Sequence, residues 1–266
     1  MLTFTHTYLL SLAYQKLHHR EMPVTHAELI LGNVIPDFIT HLGRERFQAM
    51  AHDLNRLVTS NQKSMLEWGA KLHILCDNYS TLGRITFQGN YHDLPKKGFI
   101  EQLSRAVKLN LSLQIPKRRI LQIVLDIRVI RAYRSRLIAM LQSAASFLKE
   151  QFLEITNRIA IIYELDPEQL KIGLNRFLEI YGKNFIEQSA SEEYRLFALA
   201  RSLLNLHSLT DPQIILDGVR NHPELMELVE SNMDLINDNW QELLDNMVQE
   251  VLEFPGIKAA FQAAQI

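Results

Sequence analysis

The sequence contains little cysteine, no long run of apolar residues and no region with the character of an export signal. Its single thiol, Cys76, cannot form an internal disulfide framework, which favours a reducing compartment. No stretch approaches the about 18 consecutive apolar residues of a membrane-spanning helix. The first basic residue is Lys16, and the apolar run before it is too short for a secretory signal. We therefore expect a cytoplasmic protein without a transmembrane segment.

An excess of charge of one sign is also lacking. Lys and Arg number 28 and Asp and Glu number 30, which gives a formal net charge of −2. This balance argues against a general nucleic-acid-binding protein. The charges nevertheless segregate, because residues 117–136 hold seven basic residues and one acid, Asp126, whereas residues 224–253 hold nine acids and no Lys or Arg. Helices that face solvent or pair with each other explain this pattern more simply than a phosphate-binding surface does.

Glycine and proline are scarce, with 10 and 8 occurrences in 266 residues. Helical periodicity dominates between them, and no alternating run flanked by turns indicates a sheet. The sequence therefore predicts an all-α protein with a single multi-helix domain over residues 1–266. The predicted helices lie near residues 5–18, 24–32, 44–59, 63–80, 96–113, 117–143, 145–163, 167–188, 191–207, 211–219, 223–250 and 256–264.

Two dipeptides predict where helices begin and end. Asp166-Pro167 has the character of an N-cap followed by proline in the first helical position. Gly32-Asn33 predicts the end of a helix in the left-handed conformation. Pro36 would then hold the following residues extended, and Asp37 would lie on a turn.

Histidine is concentrated near the start of the chain. Eight of the ten histidines lie in the first 92 residues, where even spacing would place roughly three or four. Neutral imidazole is the commonest metal ligand among side chains and suits zinc. His18, His19 and His26 are more simply interpreted as surface or helix-end residues. The other five are His6, His41, His52, His73 and His92.

His73 and Asp77 form the most informative pair. The segment Trp68–Tyr79 is predicted to be a mostly apolar helix, and spacing of four residues puts both side chains on one face. Burying an imidazole and a carboxylate is costly unless they have partners. From the pair alone, two interpretations stay open. The residues either bind one cation together or form a core histidine hydrogen-bonded to an aspartate.

Together these motifs resemble the zinc-dependent phospholipase C family, which shares its helical fold with P1-type nucleases. The resemblance rests on His6, the G-N-x-x-P-D sequence at residues 32–37, a lone His52, and H-x-x-x-D at residues 73–77. It covers roughly residues 1–95, and residues 96–266 form a helical remainder. It implies hydrolysis of a small phosphate ester or phospholipid by a metal-activated water. No nucleic-acid partner is expected.

The resemblance also implies roles for individual residues. Asp37, His52, His73 and Asp77 resemble the ligands of one zinc, and Asp37 is also the candidate catalytic residue. His6 resembles a ligand of a second zinc, with Asp77 bridging the two ions. His92 is a further candidate ligand. No H-x-x-x-E sequence follows, so we expect one or two zinc ions rather than three.

Two other functions are compatible with the sequence. Adjacent His52-Asp53 is typical of HD-type metal-dependent phosphohydrolases, in which His26 or His41 would be the first ligand. That interpretation leaves the His73/Asp77 pair without a role. The remaining alternative is a helical binding or scaffold protein without turnover.

Overall fold

Seven helices make up most of the chain that the structure describes. The structure is a computed structural model, and it describes residues 3–40, 64–78, 117–182, 186, 190, 191, 240–254 and 257. The helices are α1 (Thr3–His18), α2 (Ala27–Thr40), α3 (Met65–Asn78), α4 (Lys117–Glu150), α5 (Phe152–Tyr163), α6 (Pro167–Tyr181) and α7 (Trp240–Leu252). These described residues contain no strand. The predicted all-α class is confirmed, and the single domain over residues 1–266 stays a prediction.

Local side-chain caps explain where two helices begin. At the start of α3 the Ser64 hydroxyl accepts from the Glu67 N–H while the Glu67 carboxylate accepts from the Ser64 N–H, each at 3.4 Å. This reciprocal pair satisfies two amides that the helix cannot satisfy itself. At the start of α6 the Asp166 carboxylate accepts from the Glu168 N–H at 2.9 Å, and Pro167 occupies the first turn. The helix start predicted at Asp166-Pro167 is confirmed.

The predicted end of a helix at Gly32-Asn33 is wrong. α2 continues through both residues and through Pro36 to Thr40, so residues 34–38 are helical and not extended. Pro36 has no N–H to donate to the carbonyl four residues earlier, which weakens the helix. Apolar side chains on several sides of this segment, including Val34, Ile35 and Phe38, are buried. Their burial outweighs the local preference of glycine and proline for breaking a helix.

Two other predicted boundaries also differ from the structure. α4 runs without the predicted break near residue 144 and ends at Glu150, while the backbone departs from helical geometry at Tyr133 (φ −133°, ψ 17°). α6 ends at Tyr181, before the predicted 188, and Gly182 follows in an extended conformation. Gln151 separates α4 from α5. Neither Tyr133 nor Gln151 is a glycine or proline, so the local sequence carried no signal for the kink or for the break between the two helices.

The first two helices lie among most of the others. α2 packs against α1, α3, α4 and α6, and α1 also packs against α3, α4 and α7. Phe38 of α2 meets Phe177 of α6 edge to face, with ring centroids 4.8 Å apart. Such aromatic contacts contribute beyond the area they bury. α1, α2 and α3 therefore share a common core, and the candidate ligands predicted on them are brought into one region.

α2 and α3 approach each other so closely that their backbones touch. A Cβ atom on Gly69 of α3 would lie 2.2 Å from the Leu29 carbonyl oxygen and 2.5 Å from the Asn33 nitrogen. A Cβ atom on Gly32 of α2 would lie 2.0 Å from the Leu66 carbonyl oxygen. Only glycine fits at these two positions. Because the contact lies one turn before Asp37 and His73, it fixes how the two site-bearing helices face each other.

The basic and acidic segments contribute surface charge and ion pairs. Arg131 and Arg134 of α4 are exposed. Asp245, in the acidic segment, forms an ion pair with Lys16 of α1 at 2.8 Å, and Arg136 pairs with Glu21 at 2.6 Å. None of the helices in the described ranges combines the length and apolar character needed to cross a bilayer.

Candidate metal centre

Four side chains predicted as metal ligands meet at the junction of α1, α2 and α3. One ligand atom each from His6, Asp37 and His73 lies within 4.8 Å of the others. The His73 Nε2 is 3.9 Å from Asp37 Oδ1 and 3.6 Å from Asp77 Oδ2, and the His6 Nε2 is 3.2 Å from Asp77 Oδ1. Ligand bonds of 2.0–2.2 Å place neighbouring donors of a tetrahedral zinc about 3.4 Å apart. The observed spacings therefore fit donors arranged around metal.

His73 is oriented by the backbone of α2. Its Nδ1 lies 2.6 Å from the Asn33 carbonyl oxygen. A carbonyl only accepts, so Nδ1 carries the proton and Nε2 faces the carboxylates of Asp37 and Asp77. Metal-binding histidines commonly donate their second ring N–H to a carbonyl in this way, which fixes the tautomer and the ring.

Asn33 also holds α3 through its side chain. The Asn33 Nδ2 donates to the Gly69 carbonyl oxygen at 3.3 Å, while the Asn33 carbonyl accepts from His73 one turn further along α3. This role of Asn33 was not predicted from the sequence, where the residue was a helix end and part of the G-N-x-x-P-D motif. The asparagine in G-N-x-x-P-D was a signal, but its partners lie 36 and 40 residues away.

The rings of His6 and His73 are stacked. Their centroids are 3.8 Å apart and their planes differ by 20°. The ring lone pairs lie in these planes, so two nearly parallel rings direct them side by side and not at one point. Asp77 presents Oδ1 to His6 and Oδ2 to His73. Each imidazole therefore lies next to one oxygen of Asp77.

Charge within the cluster sets the protonation of its members. Burial acts to lower the pKa of His73, but the negative charges of Asp37 and Asp77 outweigh it and raise that pKa. Burial acts to raise the pKa of Asp37, but the positive charges of His73 and His6 outweigh it and lower that pKa. Without metal, the pair is therefore stabilised as imidazolium and carboxylate. A metal that binds His73 has to displace its proton.

The remaining candidate residues fall into two groups. His41, His52, Asp53 and His92 lie outside the described residues. His26 is described by the structure and lies outside the cluster. Its Nε2 is 3.3 Å from the Tyr14 hydroxyl, and that hydroxyl also accepts a hydrogen bond from Arg20. Burial and the charge of Arg20 lower the pKa of His26. Cys76 is buried in the core, and burial raises the pKa of its thiol.

Comparison of the chain with protein-family models, with curated proteins and with solved structures gives no match. The interpretation of this cluster as a candidate metal centre therefore depends on its side chains. Two imidazoles and two carboxylates converge from three helices, and the hydrogen bond from His73 Nδ1 to the Asn33 carbonyl leaves the His73 Nε2 facing the acids.

The metal-free protein is expected to lose part of its stability as the pH rises. The raised pKa of His73 contributes stability that is fully present below the ordinary value of 6.5 and is lost as the pH rises through the raised value. The lowered pKa of Asp37 contributes stability present above 3.8, which is lost as the pH falls through the lowered value. Denaturation of zinc-free wild type and of zinc-free His73→Gln between pH 5 and pH 9 measures their free energies of unfolding. The difference between the two proteins should become smaller as the pH rises.

Zinc should reverse this trend. Because the metal requires neutral His73, the increase in melting temperature on adding zinc should grow as the pH rises. A zinc-free difference between wild type and His73→Gln that stays constant from pH 5 to pH 9 would contradict the assigned charge states.

Proposed function

We propose that this protein is a zinc-dependent hydrolase of phosphoric esters, of the type that its N-terminal motifs resemble. One observation carries the proposal, which is the convergence of His6, Asp37, His73 and Asp77 on a shared cluster. Carboxylate and imidazole donors are suited to zinc. His52 and His92 are part of the proposal as further ligands, on the strength of the sequence alone.

Each of the four described side chains would have its own role in binding metal. His73 and Asp37 would bind one ion, His6 would bind a second, and Asp77 would bridge them. Zinc held there would lower the pKa of a coordinated water and would stabilise negative charge developing on a phosphoryl group. The Asn33 carbonyl keeps the His73 ring oriented, so this ligand is in place before substrate arrives.

The two aspartates are the more exposed members of the cluster. The side chains of His6 and His73 are 3% and 0% exposed, whereas those of Asp37 and Asp77 are 13% and 24% exposed. We therefore expect a substrate to approach over Asp77, because Asp37 Oδ2 is buried. A phosphate ester suits this side only after metal has neutralised the two acids, because bare carboxylates repel an anion. We therefore expect substrate binding to depend on metal as strongly as turnover does.

The proposal is tested by metal content and chelator-sensitive activity on the full chain. The protein is purified without a histidine tag or chelator and its zinc is measured by mass spectrometry. Hydrolysis is then followed with bis(p-nitrophenyl) phosphate, p-nitrophenyl phosphate and phosphatidylcholine. We expect at least one zinc per chain, and turnover of at least one of these esters that is lost on chelation and restored by zinc.

The variant His26→Ala is a matched control, because His26 contacts Tyr14 away from the cluster. It should keep the zinc content and the activity of the wild type. A protein that is fully loaded with zinc but hydrolyses none of a broad panel of phosphate esters would contradict the hydrolase assignment. Loss of zinc in His26→Ala would instead favour the HD-type arrangement, in which that residue is a ligand.

A further inference from the structure

Asp126 of α4 is a buried carboxylate that contacts the first turn of α1. Its Oδ1 accepts hydrogen bonds from the backbone N–H and from the Oγ1 hydroxyl of Thr5, each at 2.9 Å. Thr5 directly precedes His6 and is 121 residues from Asp126 in the chain. Asp126 is also the one acid in the basic segment 117–136. A buried carboxylate is costly unless polar groups compensate, and Thr5 supplies two such groups.

The contact supplies what the start of α1 lacks. α1 begins at Thr3, so Thr5 is the third helical residue, whose N–H is usually satisfied by a side chain just before the helix. The first turn of α1 contains no acid. Asp126 therefore provides from α4 both the missing acceptor and the negative charge that a helix N-terminus favours.

The orientation of the His6 ring depends on the position of the first turn of α1. The His73 ring is oriented by its bond to the Asn33 carbonyl, whereas the His6 Nδ1 has no hydrogen-bond partner within the described part of the chain. Among the described residues, the position of the His6 ring is therefore set by the backbone of α1, by stacking on His73 and by Asp77. Movement of the first turn would carry the His6 Nε2 away from Asp77.

We infer that Asp126 is a positioning residue of the metal centre, which holds the first turn of α1 so that His6 faces Asp77. It acts through Thr5 and His6. The inference rests on the proposed function in that His6 is taken as a zinc ligand. The placement of His6 by Asp126 can nevertheless be measured in the metal-free protein.

The first measurement follows histidine ring signals by NMR in zinc-free wild type, Asp126→Ala and Asp126→Asn. In Asp126→Ala the imidazole signals of His6 and His73 should shift and those of His26 should not, because the rings of His6 and His73 stack on each other. Asp126→Asn keeps an oxygen acceptor for Thr5 and should restore both signals toward their wild-type positions. Unchanged His6 signals in Asp126→Ala would overturn the inference, whether or not the protein binds zinc.

The second measurement is zinc affinity, by competition with a chromophoric chelator. Replacing a residue that orients a ligand typically weakens metal binding about 10- to 100-fold. We expect a loss of that size in Asp126→Ala, a smaller loss in Thr5→Val, which keeps the backbone bond, and near wild-type affinity in Asp126→Asn. Thr5→Val also serves if Asp126→Ala does not fold.

Combining variants separates positioning from a general structural role. If Asp126 acts through His6, Asp126→Ala should cause no further loss of zinc affinity in a His6→Ala background. The matched control is Asp245→Ala, which removes another carboxylate contact to α1, at Lys16, and should leave zinc affinity unchanged. Equal losses in the two backgrounds would overturn the inference. Failure of the wild type to bind zinc would contradict the proposed function, and the NMR result would still decide the role of Asp126.

Discussion

Replacing Gly69 with alanine is expected to destabilise the protein by about 3 kcal/mol or more and to abolish zinc binding. On helix propensity alone the change should stabilise α3 by about 1 kcal/mol. The added Cβ would, however, lie 2.2 Å from the Leu29 carbonyl oxygen and 2.5 Å from the Asn33 nitrogen. Both are backbone atoms within α2, so relief requires the two helices to separate.

The same separation dismantles the site. Asn33 donates to the Gly69 carbonyl and accepts from His73, so moving α2 from α3 breaks the bond that orients His73. Urea denaturation measures the stability, and chelator competition measures the zinc affinity. Gly32→Ala should have the same effects on stability and zinc affinity, because a Cβ atom on this residue of α2 would clash with the Leu66 carbonyl oxygen of α3. A Gly69→Ala variant more stable than wild type would show that the helices do not touch here.

Replacing His73 with alanine is expected to remove both zinc binding and turnover. His73 is buried on α3 and its Nε2 faces two of the other proposed ligands. Its loss should weaken zinc binding by more than the about 10- to 100-fold typical for residues that only orient a ligand. The hydrolysis described above should fall to the level of the chelated wild type, because the metal no longer activates water.

Below about pH 6.5, zinc-free His73→Ala should also be less stable than the zinc-free wild type. The variant lacks the imidazolium charge that stabilises Asp37 and Asp77. Calorimetric titration with zinc and ester hydrolysis test the first two effects, with His26→Ala as the control histidine variant. Wild-type zinc affinity in His73→Ala would exclude this residue as a ligand. Retained affinity with lost turnover would instead assign His73 to the reaction and not to metal binding.

Several features of this protein were determined by local sequence. Helical periodicity and the scarcity of glycine and proline predicted the all-α class, and Asp166-Pro167 predicted the start of α6, because both signals act within a few residues. The spacing of His73 and Asp77 placed them on one helical face for the same reason. The histidine and aspartate motifs also named the four residues that the structure brings together, although their roles as ligands stay a proposal.

Only the tertiary structure decided how these pieces fit. Gly32-Asn33 can end a helix or continue one, and contact with α3 decided that α2 continues to Thr40. No sequence motif marked Gly69, because glycine is required at this position by the backbone of another helix. The partnership of Thr5 and Asp126 spans 121 residues. Propensity and capping act along the chain, whereas the close approach of distant segments depends on how buried side chains pack, so the placement of His6 opposite Asp77 was decided by packing.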